Sequence, residues 1–337
     1  MLKKVILQKK LEKNKVKCLC CPHYCIIEEG KRGICGVKEN QGGVLYSLVY
    51  GKVCALHIDP IEKKPLFHFY PGTDSLSIAT VGCNFSCLSC QNWEISQGPK
   101  IKEEIEGQKI LPEKIVELAK QNQCPTISYT YTEPTVFSDF ALDVMKLAKK
   151  SGIKNVWVSN GFISKENLEL IFPYLDAINV DLKSFSENFY RNYCKGSLKP
   201  VLETLIFLKR RKVWVEITTL AIPELVKEED FRQIAKFIKN YLGEETPWHI
   251  SRFFPEISFK MRHLMKTPIE TIERACEIGL REGLKYVYGG NVPGLASEDT
   301  YCPKCKAKMI DRTGYFIERY DDHGKCSKCG ESLDIIE

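Results

Sequence analysis

The 337-residue chain contains no run of eighteen apolar residues, so nothing in it reads as a helix that spans a bilayer. Its start, MLKKVILQKKLEKNKVKC, lacks the apolar stretch and small-residue cleavage site of a secretion signal. A cytoplasmic protein without a membrane partner is therefore expected, and its sixteen cysteines are read as metal ligands rather than disulfides. Charge of one sign is scarce as well. The 49 basic and 43 acidic residues leave +6, which permits a phosphate-bearing partner without calling for one.

What the chain does have is enough hydrophobic residue, 44%, for a large core. Between cysteine-rich ends, short β-branched runs alternate with amphipathic stretches, the pattern of βαβ units and a parallel sheet. Strands are expected at 76–82, 126–132, 155–160, 177–182, 213–220 and 247–253. Helices are expected at 112–122, 136–151, 165–172, 198–211, 228–241 and 268–283. Pro112 suits a first helical turn, Gly152 a left-handed cap, and Ser164 an N-cap. The expected fold is α/β, a partial (β/α)6 TIM-like barrel with small cysteine-rich metal-binding segments at both termini. Its divisions are a cysteine-rich lead-in over 1–70, a core barrel over 71–295 and a ribbon-like segment over 296–337.

Cys83, Cys87 and Cys90 follow the first of these strands with x3 and x2 spacing. A [4Fe-4S] cluster takes four cysteines, so three thiolates in one loop leave an iron open to a non-protein ligand. A zinc knuckle would need a fourth protein ligand, and neither His nor Cys follows nearby until Cys124. In barrels, functional groups gather at strand C-termini. The cysteine loop, Glu133, Asn160, Asp181 with Lys183, and His249 all fall at or just beyond expected strand ends, which sends them to one mouth.

Two flanking cysteine sets carry separate signals. Cys302-x2-Cys305 and Cys326-x2-Cys329, with Gly330 behind the second pair, have the spacing of a zinc ribbon, expected mainly to staple a small subdomain. Cys18, Cys21, Cys25 and Cys35 fit either zinc or an auxiliary iron-sulfur cluster, with Cys20 and His23 as spare ligands. Cys54, Cys124, Cys194 and Cys276 stand alone and read as buried small hydrophobes.

The segments CNFSCLSC, DPIEKKPLFHFYPG, QNWEISQ and YTYTEPTVF resemble the radical S-adenosylmethionine (SAM) member of the AmmeMemoRadiSam system, a group related to pyruvate formate-lyase activating enzymes. The resemblance runs from about Cys18 to Cys329. It implies reductive cleavage of SAM at a [4Fe-4S] cluster on Cys83, Cys87 and Cys90, giving a 5′-deoxyadenosyl radical for hydrogen abstraction. It also implies SAM contacts from Tyr131, Thr132 and Glu133, in place of a Gly-Gly-Glu motif, from Ser159 and Asn160 near the ribose, and from Asp181, Lys183 and His249. Arg252 joins His249 as a catalytic candidate, for an acidic substrate group. Ser89 stands where an aromatic often packs adenine, leaving Phe85 or Trp93 for that role. Asp59, Glu62, Lys63 and Lys64 belong to the lead-in without an assigned role.

Implied partners are an electron donor of flavodoxin or ferredoxin type and the system's other proteins, with a protein, small-molecule or RNA substrate. An activating-enzyme role leads, radical modification of a tRNA base is the alternative, and a non-enzymatic metal-binding adaptor is a remote third. Zn2+ and a second Fe-S cluster complete the expected cofactors.

Overall fold

The computed structural model describes residues 2–337. Its central sheet starts inside the lead-in, at β1 (Ala55–Pro60), which pairs antiparallel with β2 (Asp74–Ala79). The chain then passes the cysteine loop, α1 (Trp93–Ile101) and α2 (Pro112–Gln121). From there strand and helix alternate: β3 (Thr126–Tyr129), α3 (Ser138–Lys150), β4 (Lys154–Ser159), α4 (Lys165–Ile171) and β5 (Ala177–Asp181). The series continues with α5 (Lys199–Arg210), β6 (Trp214–Ala221), α6 (Glu228–Phe237), β7 (Trp248–Arg252), α7 (Ile269–Arg281) and β8 (Val287–Gly290).

The eight strands stand in the order β8-β7-β6-β5-β4-β3-β2-β1, and β2 through β8 run parallel. Each parallel strand adds beside its predecessor, so all their C-terminal ends share one rim. No pairing joins β8 to β1 among the described residues, and the sheet is an open, partial barrel. Strands such as β3 and β5 are buried on both faces, as expected where helices cover the outside of a parallel sheet. On α3, Phe140, Ala141, Val144, Met145 and Ala148 face inward while Lys149 and Lys150 end the helix, where cations suit its negative pole. Burial of each larger apolar side chain there contributes about 1.5–3 kcal/mol.

The six expected strands and six expected helices all form, within a few residues of the expected ends. Pro112 opens α2, Gly152 follows α3 at φ 76°, and the Ser164 hydroxyl accepts the Asn167 N–H at the start of α4. Of the elements named above, three of the central sheet and its flanking helices were not foreseen. β1 carries Pro60, tolerated because it ends an edge strand. α1 contains Gly98 and Pro99, which mask its helical pattern. β8 is the short VYGG, and Gly289 there is a packing requirement: a Cβ would stand 2.5 Å from Ser297 Oγ and 3.0 Å from Ile272 Cγ2 of α7. A seventh parallel strand thus extends the six-strand expectation.

The N-terminal ends of the strands are closed by a polar and aromatic floor. Glu216 on β6 is fully buried and accepts from the Phe67 N–H (3.0 Å), the His68 N–H (2.9 Å), Trp214 Nε1 (3.0 Å) and His249 Nε2 (2.7 Å). Burial pushes this carboxyl up, but the His249 hydrogen bond and charge, with His68 and Trp214, hold it below the usual carboxylate range. The C-terminal ribbon docks on the same floor, where Arg312 donates to Phe67 O and Ile336 exchanges backbone hydrogen bonds with His68 and Tyr70. Among the described residues no helix is long and apolar enough to cross a membrane.

His68 lies in this floor with Nδ1 on Leu333 O (2.9 Å) and Nε2 on Tyr288 Oη (2.6 Å). A carbonyl can only accept, so Nδ1 carries the proton and Nε2 accepts from the phenol. Burial lowers the His68 pKa from 6.5 to about 4, against the pull of Glu216. Below pH ~6.5 the unfolded chain takes up a proton that the folded chain refuses until about pH 4. Stability should therefore fall as pH drops through that window, by roughly 3 kcal/mol in all. Melting temperatures between pH 7 and 4.5 should show this fall. A flat profile would mean that His68 is already protonated in the fold.

Candidate active site

Four elements meet at the C-terminal rim. The cysteine loop after β2 is pinned from several sides: Ser86 N donates to Cys194 O (2.9 Å), Leu88 N to Tyr193 O (3.0 Å), and Lys100 Nζ to Phe85 O (2.7 Å). Phe85 N faces Cys83 Sγ at 3.4 Å, and Cys90 Sγ meets Ser96 Oγ at 3.3 Å. Burial, with Glu133 next, pushes the Cys83 thiol up; the Cys194 thiol beside it, then burial, raise Cys87; burial also raises Cys90.

Glu133, just past β3, is buried. Its Oε1 accepts from Thr135 N (3.1 Å), Thr135 Oγ1 (2.5 Å) and Ser159 Oγ (2.8 Å), and its Oε2 accepts from Asn160 N (2.8 Å). Burial raises its pKa against these hydrogen bonds. A carboxylate has about four acceptor positions, roughly two per oxygen, so Oε2 retains room for one further donor. Asn160 ties this group to the cysteine loop: its Nδ2 donates to Asn84 Oδ1 (2.8 Å) and lies 3.8 Å from Cys83 Sγ. At the end of β5, Asp181 pairs with Lys183 at 2.8 Å. Burial opposes the charge on Lys183, but Asp181, then Cys87 and Cys194, raise its pKa well above the ordinary value. Ionic groups of β5 therefore act on the cysteine loop after β2.

Not every expected residue joins them. Tyr131 takes φ 62° and turns its phenol down the barrel to Asp59, leaving its carbonyl at the rim to accept from Asn92 Nδ2 (2.8 Å). Asp59 also holds Lys63 (2.7 Å) and Lys64 (2.6 Å), which keep its carboxyl far below the usual range although burial opposes them. Of the lead-in charges Asp59, Glu62 and Lys64 are buried and Lys63 is exposed, and Glu62 receives the Gly72 N–H (2.8 Å). Thr132 Oγ1 is spent on Thr80 O (2.7 Å).

His249 departs furthest from expectation. It is the second residue of β7 and is held in the floor by Glu216, Phe67 and Tyr288, away from the rim. Arg252, at the end of β7, donates Nε to Thr267 O (2.6 Å) and stands beside Phe254. Phe85 is fully buried against Phe162 and Gly196, where a Cβ would meet its ring at 2.1 Å, so it is not free to pack a base. Trp93 is partly exposed and stacks on Phe259 at 5.3 Å.

Sequence spacing gave no hint of Cys194 or Lys100. Cys194, expected to be an isolated hydrophobe, is buried but sets its thiol beside Cys87. It lies more than a hundred residues beyond the loop, in no cysteine motif.

The C-terminal cysteines do converge. Cys302 and Cys329 stand 3.6 Å apart, as do Cys305 and Cys326, and all four sulfurs lie within 4.8 Å of one another. Four thiolates around one zinc ion would stand about 3.8 Å apart, so the set fits a single ion of that kind.

A half-buried rim of thiols with acidic, basic and amide groups at parallel strand ends defines a cofactor-dependent α/β enzyme. Residues 77–238 match the profile of the radical SAM superfamily, and the chain belongs to that superfamily. It is 48% identical over 339 residues to a Methanocaldococcus jannaschii protein described as uncharacterized, covering 99% of this chain and 100% of that one. A candidate glycyl-radical enzyme activating enzyme of the same organism is 27% identical over 192 residues, 54% of this chain and 68% of the relative. Among solved structures, a domain of a Bacteroides vulgatus pyruvate-formate lyase-activating enzyme aligns with TM-score 0.43 and 16% identity, over 48% of this chain and 97% of that one. Enzymes of the superfamily use a [4Fe-4S] cluster and SAM.

Proposed function

We propose that this chain cleaves SAM reductively at a cluster held by Cys83, Cys87 and Cys90, and uses the resulting 5′-deoxyadenosyl radical to take hydrogen from a protein or peptide, as activating enzymes do. The carrying observation is the shared rim, where Asn160 touches both the Cys83 loop and Glu133. The cluster, when bound, supplies the electron and an open iron for the amino acid portion of SAM.

The chain's own residues bind and orient. Glu133 Oε2 has a free acceptor position for an ammonium, and its other hydrogen bonds fix the carboxylate in place. Asn160 and Ser159 would border the ribose, Asp181 and Lys183 hold opposite charges at the next strand end, and Trp93 would offer an aromatic face for adenine. Thr132 and Tyr131 serve through the backbone. Arg252 remains a binding group for an acidic substrate, whereas His249 is assigned to the floor.

Resemblance to the AmmeMemoRadiSam member supports work alongside that system's other proteins and a flavodoxin or ferredoxin donor. The ribbon, read with zinc as a structural staple over 296–337, docks at the floor end of the 71–295 barrel, and this favours the protein substrate over a tRNA base held by the ribbon. After anaerobic iron and sulfide loading, dithionite with SAM should yield 5′-deoxyadenosine and methionine. A loaded protein that forms neither contradicts the proposal. Loss of a modified tRNA nucleoside in cells lacking the protein would replace the protein substrate by RNA.

A further inference from the structure

We propose that Cys18, Cys21, Cys25 and Cys35 hold a polynuclear iron-sulfur cluster, not zinc, in a partly open cavity beside the Cys83 loop. This inference goes beyond the SAM reading and needs none of Cys83, Cys87 and Cys90.

Five thiols, those four and Cys20, line one cavity whose remaining wall includes Ile27, Ile34 and Val136. The chain is folded tightly to make it: Cys18 N donates to Cys25 O (2.9 Å) and Tyr24 N to Cys21 O (3.0 Å). Gly33 keeps the space open, since a Cβ there would approach Ile27 Cδ1 at 3.1 Å and Cys25 Sγ at 3.7 Å.

Sulfur spacing separates this site from the ribbon. The ribbon sulfurs are gathered within 4.8 Å, whereas no other three His, Cys, Asp or Glu ligand atoms are so gathered among the described residues. Thiolates around one zinc crowd to about 3.8 Å. In a cluster, several iron and sulfide atoms lie between the thiolates, and their sulfurs stand farther apart around a central space. A ring of thiols around an apolar cavity matches the second arrangement.

The ligand set follows from what the spare groups do. Cys20 sets its thiol between Cys18 and Leu7 O (3.9 Å), and His23 places Nε2 on Asn84 O (2.9 Å) with Nδ1 uncommitted. The four spaced thiolates are the ligand set proposed, and Cys20 is the alternative that its own variant tests. Lys38, 1% exposed, also lines the cavity and is anchored by Asp139 at 3.0 Å, so a fixed ammonium faces the anionic thiolates. The cavity also borders Thr135, a partner of Glu133, while His23 reaches the residue next to Cys83. The two cysteine sites are thus neighbours.

The test uses the full-length chain with Cys83, Cys87 and Cys90 all replaced by Ala, loaded anaerobically with iron, sulfide and zinc. Metal analysis and electron paramagnetic resonance after dithionite should find at least two irons per chain, the minimum for a cluster, with about one zinc in the ribbon. Adding Cys21→Ser and Cys25→Ser should remove the iron and spare the zinc. Cys20→Ala should keep both. Two zinc ions without iron, or no metal at the N-terminal site, would overturn the proposal, as would iron that survives Cys21→Ser with Cys25→Ser. Iron lost from a folded Cys20→Ala protein would overturn the ligand set. If the triple variant does not fold, the wild-type chain decides: more than about four irons per chain supports the second cluster and four or fewer refutes it. Because the central triplet is absent from the variant, failure here leaves the SAM reading intact, and the reverse also holds.

Discussion

Cys87→Ala removes SAM cleavage to background, a loss of more than about 10³-fold, while the ribbon keeps its zinc. The loop supplies three closely spaced thiols, and the pinning contacts from Lys100, Cys194 O and Tyr193 O hold it in one shape, so no neighbouring loop residue can shift to replace Cys87. Cys194 is the one nearby thiol outside the loop with a claim to the cluster, because it faces Cys87. Cys194→Ala should keep iron content and SAM cleavage close to wild type. The measurements are iron per chain and 5′-deoxyadenosine formed per hour. Turnover surviving in Cys87→Ala would show that the ligand set is wrong, and iron lost in Cys194→Ala would show that a fourth thiolate occupies the open iron position.

Glu216→Ala is expected to be the most damaging single change to stability, on the order of 3–5 kcal/mol or more. It deletes the acceptor of four buried donors, from Phe67, His68, Trp214 and His249, and water has no ready access to replace it. Against a total stability of about 5–15 kcal/mol for a native domain, this loss is large. Because Phe67 and His68 also carry the contacts to Arg312 and Ile336, the ribbon should loosen with the barrel floor. Thermal unfolding of zinc-loaded protein should show a drop of several degrees or failure to accumulate in soluble form. His249→Gln should be milder, since an amide can still donate to the carboxylate. A Glu216→Ala protein as stable as wild type would mean that the floor does not hold these segments together.

Much of the barrel was legible because its strands are β-branched runs buried on both faces and its helices carry clear amphipathic stripes. β1, α1 and β8 were hidden for local reasons: Pro60, the Gly98-Pro99 pair and Gly289-Gly290 break the patterns that identify strands and helices, yet an edge position and close packing accommodate them. At the site, strand-end logic gathered the cysteine loop, Glu133, Asn160, Asp181 and Lys183 on one rim. The same logic misplaced His249, because it treats a residue near a strand end as facing the mouth and cannot see that Glu216 on the adjacent strand draws it into the floor.

The sequence by itself determined the alternation of strands and helices, the triplet spacing and the paired ribbon cysteines, since each is a short-range pattern whose periodicity or spacing carries its own physical meaning. Only the tertiary structure decided which distant groups meet: Cys194 with Cys87, Lys183 with the cysteine loop, Tyr131 with Asp59 and five N-terminal thiols around one cavity. Those contacts arise from strand order and from how far each chain segment is folded back. No local spacing encodes either.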